Sequence, residues 1–144
     1  MKHDYITHSD TETQKLGEEF AGSVKPGDII CLFGNLGAGK TTFSKGFAAG
    51  LGITSRIISP TFTLVREHEV QNPRIKKLYH IDLYRLENLS EIESIGLSEI
   101  FEDKQAVVLI EWAEKLGDNL PKNRCEIHFV HSDNDSRTIT IKQI

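Results

Sequence analysis

The residues best able to do chemistry stand in one run, Gly34-Asn35-Leu36-Gly37-Ala38-Gly39-Lys40-Thr41. Its spacing, G-x-x-x-x-G-K-[ST], is that of a phosphate-binding loop. Each residue type serves that chemistry. Glycines reach backbone conformations closed to other residues and let amide N–H groups come close to phosphate oxygens. Those amides, with the first turn of a following helix, make an anion site. Lys40 would reach the β- and γ-phosphates, and the Thr41 hydroxyl would bind Mg²⁺. Context supports the motif over a chance match, because an apolar strand pattern precedes it and an amphipathic helix pattern follows it.

A phosphate loop also needs a metal-holding acid at the end of a neighbouring strand. Glu111 directly follows Val107-Val108-Leu109-Ile110, which places it at a strand's carboxyl edge, where α/β sheets bind ligands. Asp82 lies in Tyr79-His80-Ile81-Asp82-Leu83-Tyr84-Arg85, with His80, Asp82 and Tyr84 on one side of a strand. On patterning alone, either acid also reads as a surface carboxylate beyond a strand. His80 by itself reads as a structural histidine before a catalyst. The other five histidines show no metal-ligand spacing, so no zinc site is expected. Trp112, the only tryptophan, reads as packing.

The elements that must hold these residues follow from periodicity. Ser9-Asp10-Thr11-Glu12 has the form of a capping box, and Leu16, Phe20 and Val24 follow on one helical stripe. Lys25-Pro26-Gly27-Asp28 breaks the helix. Ile29 to Phe33 is then a short apolar run, the mark of a strand buried on both faces. Beyond the loop, Phe43, Phe47 and Leu51 form the stripe of a second helix closed by Gly50 and Gly52. Ile57-Ile58 and Phe62 to Val65 flank Ser59-Pro60, suggesting an extended segment with a turn or bulge. Gln71-Asn72-Pro73 reads as a loop tip and Leu78 to Leu83 as a strand. Ser90 to Glu93 repeats the capping-box form, with Ile92 and Ile95 inward and Gly96 ending or kinking the helix. Ala106 to Ile110 is a second central-strand candidate. Cys125 to Val130 and Thr138 to Ile144 alternate around a polar turn, which predicts a C-terminal hairpin. Mixed helices and strands with apolar central runs indicate an α/β sheet in one domain.

At 144 residues the chain suits a single core. It contains no run of about 18 apolar residues that would span a membrane, and its polar start lacks a secretory signal core. Cys31 and Cys125 show no disulfide or metal spacing. A soluble, reduced, cytoplasmic protein is the expectation. A net charge of −4 argues against binding nucleic acid by bulk electrostatics. The charge is uneven, with seven Lys/Arg against two acids from Lys40 to Lys77, and six acids without a base from Leu86 to Asp103. This fits two solvated faces, or a nucleotide-facing edge and an acidic partner surface.

Four segments in this order, GNLGAGKTTFSKGFAAGLG, SPTFTL, HIDLYR and LIEW, resemble the bacterial TsaE (YjeE-type) ATPases of tRNA threonylcarbamoyladenosine biosynthesis. The loop alone is shared by many superfamilies; its combination with the other three is specific. The resemblance covers most of the chain and is weakest over the first and last 25 residues. It implies one P-loop NTPase domain over residues 1–144, a mixed sheet with parallel central strands, antiparallel C-terminal strands and flanking helices. It further implies that Gly37, Ala38, Gly39, Lys40, Thr41 and Thr42 bind the triphosphate of ATP, with Thr41 and Glu111 on Mg²⁺. Asp82 would sit near the γ-phosphate, either supporting the metal from outside its direct ligands or positioning the attacking water, and Thr61 would sense that phosphate as a switch residue. Arg137 matches a basic position that contacts nucleotide. The implied partners are the threonylcarbamoyl-transferase subunit TsaD and its paralogue TsaB, with tRNA met indirectly through the complex.

The spacing aims neither Arg56 nor Arg85 at a γ-phosphate, so slow hydrolysis by the isolated chain and completion by partners is expected. Ser59 to Arg66 is the candidate switch segment. Two other readings share the loop: a small-molecule or nucleoside kinase, and a nucleotide-gated binding module with negligible hydrolysis. The fate of the γ-phosphate separates all three.

Overall fold

The computed structural model describes residues 2–35, 37–53, 64–88, 90–132 and 134–144. Seven strands form one sheet: β1 (Lys2–Thr7), β2 (Ile29–Phe33), β3 (Val65–Glu69), β4 (Lys77–Asp82), β5 (Ala106–Glu111), β6 (Cys125–His131) and β7 (Arg137–Gln143). Their order across the sheet is β1-β7-β6-β2-β5-β4-β3. The four central strands, β6, β2, β5 and β4, run parallel to one another. β7, β1 and β3 are antiparallel to their neighbours. The expected mixed sheet with a C-terminal hairpin is therefore present.

Helices α1 (Asp10–Ala21) and α2 (Lys40–Gly50) cover one face. Phe20 packs on Phe43 and Phe47, above a core of Ile30, Leu32, Leu109, Ile127 and Ile139. The short helices α3 (Ser90–Ser94) and α4 (Leu97–Phe101) cover the other face. A 3-10 turn over Ala113–Asn119 joins them there, with Leu97 and Leu116 buried on Ile81, Val108 and Ile110. β2, and β5 as far as Ile110, are apolar because both their faces are covered. Cys31 and Cys125 are buried free thiols, and burial pushes them up to about 12 and about 11.

Local chemistry explains the boundaries. Ser9 Oγ accepts the Glu12 amide at 3.1 Å, as the capping box requires. Glu12 in return accepts the His8 amide at 3.0 Å. α1 stops at Ala21, one turn short of the apolar stripe, so Val24 is buried from the following loop. Asn72 Oδ1 accepts the amides of Arg74 and Ile75, which closes the loop tip between β3 and β4. Gly96, at φ 73°, separates α3 from α4 as its position suggested. Ser90 differs from expectation, because its hydroxyl bonds Asn88 Oδ1 while Glu91 Oε1 accepts the Glu87 and Asn88 amides. α1 and α2 touch backbone to backbone at Gly46, where a Cβ would lie 1.8 Å from Gln14 O.

Candidate phosphate-loop site

Because β2, β4, β5 and β6 are parallel, their carboxyl ends share one edge of the sheet. The glycine loop leaves the end of β2 and turns into α2 at Lys40. Gly39 makes that turn with φ 109° and packs so closely that a Cβ would lie 3.0 Å from Arg137 Cδ. Only glycine combines that conformation with that contact. No side chain caps the start of α2, so the Lys40, Thr41 and Thr42 amides carry the unmet donors of its first turn. These amides and the helix dipole together favour an anion.

Lys40 lies back across this loop. Its ammonium donates to the carbonyls of Gly34 and Asn35 and sits 4.0 Å over the Trp112 ring. Burial lowers its proton affinity, while Glu114, Glu111 and Asp82 work in the opposite direction. Trp112 therefore packs against the core, as its type suggests, and also lies against the lysine of the loop. It adopts a left-handed conformation at φ 61°, which turns the chain sharply after β5 and brings the indole against Lys40 and Tyr84.

The acids converge on the start of α2. Thr41 Oγ1 donates to Glu111 Oε1 at 2.9 Å, joining residues 70 positions apart. Glu111 Oε2 accepts from His80 Nε2 at 2.6 Å. Glu111 and His80 are each only 1% exposed. Asp82 is opposite Glu111 in the β4–β5 register, and its Oδ1 accepts the Tyr84 amide at 3.0 Å. Burial raises the Asp82 carboxyl above its ordinary range; the Tyr84 amide opposes this and the Glu111 charge adds to it. Tyr84 lies past the end of β4, so it joins the site through Trp112 and not through strand alternation.

Arg137 also comes to the loop. It packs on Gly39, pairs with Asp10 Oδ1 at 2.8 Å, and keeps a buried Nε without a hydrogen-bond partner among the described residues. Gly37 and Ala38 lie in the loop, and Thr42 is half-buried in the first turn of α2. Thr61 and most of the candidate switch segment lie outside the described residues, as does Arg56.

The paired hydroxyl and carboxylate of Thr41 and Glu111 suit a hard cation such as Mg²⁺. Such an ion keeps several waters and takes one or two protein oxygens beside phosphate, so it needs no larger cage. Among the described residues no group of three or more His, Cys, Asp or Glu forms a cage of that kind. No helix among them is long and apolar enough to cross a membrane.

Known proteins resemble this chain in sequence and fold. Residues 7–139 match the family described as "Threonylcarbamoyl adenosine biosynthesis protein TsaE". The tRNA threonylcarbamoyladenosine biosynthesis protein TsaE of Bacillus subtilis is 45% identical over 92% of this chain and 80% of its own. The protein of the same name from Aquifex aeolicus is 43% identical over 76% of each chain. A crystal structure of Bacillus subtilis YdiB superposes with a TM-score of 0.81 at 39% identity, covering all of this chain and 86% of that one. With the family matched over nearly the whole sequence and the fold over all of it, the chain belongs to the TsaE family of tRNA threonylcarbamoyladenosine biosynthesis proteins.

Proposed function

We propose that residues 1–144 form one P-loop ATPase domain that binds and hydrolyses ATP with Mg²⁺, driving the conformational cycle of the threonylcarbamoyl-transferase complex. The observation that carries this reading is the 2.9 Å pair of Thr41 and Glu111 beside a glycine loop and its lysine. Loop amides from Gly37 to Thr42 cradle the triphosphate. Lys40 exchanges the Gly34 and Asn35 carbonyls for phosphate oxygens and leaves the face of Trp112. Thr41 and Glu111 would hold the cation, which would neutralise charge on the phosphate oxygens. Asp82 orients water toward the γ-phosphate, and Thr61 reports whether that phosphate is present. Arg137 adds positive charge on the side of Gly39.

Phosphoryl transfer to water rests on positioning and charge neutralisation, so a site lacking one positive group is slow. TsaD and TsaB are the proposed partners that complete it in the cytoplasm, with tRNA reached through them. An arginine supplied in trans is worth about 10³–10⁵ in rate. Phosphate release by the purified chain with Mg²⁺, compared with Thr41→Ala and with excess chelator, tests the reading. Release that is lost in both comparisons supports it. Release that survives both would place the chemistry elsewhere.

A further inference from the structure

We propose that His80 is a positioning residue for the Glu111 carboxylate, fixing the oxygen that faces Thr41; this rests on reading Glu111 as the metal-holding acid. Glutamate reaches the site on a long side chain with freedom in three torsions. The structure removes that freedom from both sides. Oε1 is held by the Thr41 hydroxyl at 2.9 Å and Oε2 by His80 Nε2 at 2.6 Å. A carboxylate only accepts, so the hydrogen of the second bond is on Nε2.

The placement of His80 follows from strand register. In the parallel β4–β5 pair, Asp82 is opposite Glu111 and His80 is opposite Leu109. His80 and Glu111 therefore share the face that α2 covers, one diagonal step apart. Residues of two paired central strands hold their spacing better than loop residues do. His80 is level with Leu109, two residues back from the carboxyl edge at Glu111, so it steadies the carboxylate without occupying the edge where a nucleotide would enter.

A purely structural role fits less well. Most polar side-chain atoms buried in a settled core have a hydrogen-bond partner. His80 Nδ1 does not: it is buried with no hydrogen-bond partner among the described residues. An apolar side chain would fill the same space without an orphaned polar atom. Among the described residues, the His80 side chain bonds Glu111. Groups that hold a metal ligand by its second oxygen or nitrogen tune affinity by about 10–100-fold.

The test compares His80→Gln, whose amide nitrogen reproduces the Nε2 donor, with His80→Phe, which keeps bulk and loses the donor. Calorimetry measures ATP affinity in Mg²⁺ and in chelator for each protein, and the ratio of the two isolates the cation's contribution. His80→Phe should reduce that ratio about 10–100-fold, with affinity in chelator unchanged, and His80→Gln should restore it to within about threefold. A merely structural histidine would lower both affinities together. The proposal is overturned if His80→Phe keeps the wild-type ratio, or if the glutamine variant behaves like the phenylalanine one. A wild-type ratio of one would instead overturn the metal reading of Glu111, and the proposal with it. Should His80→Phe fail to fold, ¹⁵N spectra of the wild-type imidazole decide. A hydrogen on Nε2 whose resonance moves when Mg²⁺ and ATP are added supports the role; a hydrogen on Nδ1 alone overturns it.

Discussion

Replacing Glu111 by glutamine separates what its carboxylate does for the fold from what it does for the loop. The side chain is 1% exposed and bonded to Thr41 and His80. Glutamine keeps an oxygen for the His80 Nε2–H and turns its amide nitrogen to Thr41, whose hydroxyl rotates to accept. Two charged bonds, about 1.5–3 kcal/mol each, become two neutral ones of about 0.5–1.5 kcal/mol. Against that loss stands the relief of a buried anion, itself worth several kcal/mol. Glu111→Gln should therefore stay within about 1.5 kcal/mol of wild type. Glu111→Ala leaves the His80 donor unpaired and opens a cavity, so it should cost about 3–5 kcal/mol. For the cation the order differs. A neutral amide is a poor substitute for a carboxylate, so the Mg²⁺-dependent part of ATP affinity should fall at least about tenfold in both variants, equal to about 1.4 kcal/mol. Urea midpoints at unchanged slope measure the first effect, and ATP binding in Mg²⁺ against chelator measures the second. Glutamine destabilising as much as alanine, or full Mg²⁺ dependence surviving in Glu111→Gln, would contradict these roles of the carboxylate.

Other expectations come from the same structure. Gly46→Ala drives a methyl to 1.8 Å from Gln14 O, a backbone atom that cannot yield alone, so the urea midpoint should drop by the equivalent of about 3 kcal/mol or more. Asp82 holds its proton to a higher pH in the folded chain than in the unfolded one, so folding stability falls as pH rises from the ordinary 3.8 through the raised value. Asp82→Asn lacks that loss: it should be more stable than wild type at neutral pH, the difference closing below pH 3.8, while hydrolysis drops about 10²–10⁴-fold. Equal midpoints across the pH range would contradict this. Arg137→Met gives up an ion pair to an exposed Asp10, so stability should change by less than about 1 kcal/mol. Its ATP affinity should weaken about tenfold, the loss of about 1.4 kcal/mol of phosphate contact; unchanged affinity would remove Arg137 from the nucleotide site.

What the sequence revealed depended on how each signal arises. The loop, β2 and β5 were legible because their requirements are local: glycines at fixed spacing, and runs that are apolar because both faces are covered. β1 left no such mark. Five of its six residues are exposed, and pairing with β7, 130 or more residues away, is what makes it a strand. The end of α1 was overestimated because Val24 continues the stripe without continuing the helix. Glu111 and Asp82 could be singled out from strand ends, yet their alignment needs the β4–β5 register, which periodicity does not encode. Trp112 packs as its type suggests, and its further contact with Lys40 escapes the sequence for a related reason. Its contact with Lys40 arises from a left-handed turn after β5 and a lysine 72 positions earlier. His80 was read alone, and its meaning lies in a partner 31 positions on.

The most direct test of the central claim follows γ-labelled ATP with the purified chain, first alone and then with TsaD, TsaB and tRNA. Slow release of labelled phosphate, accelerated at least about 10³-fold by the partners, is the expected result. Label carried onto a small molecule, or a release rate indifferent to the partners, would contradict it.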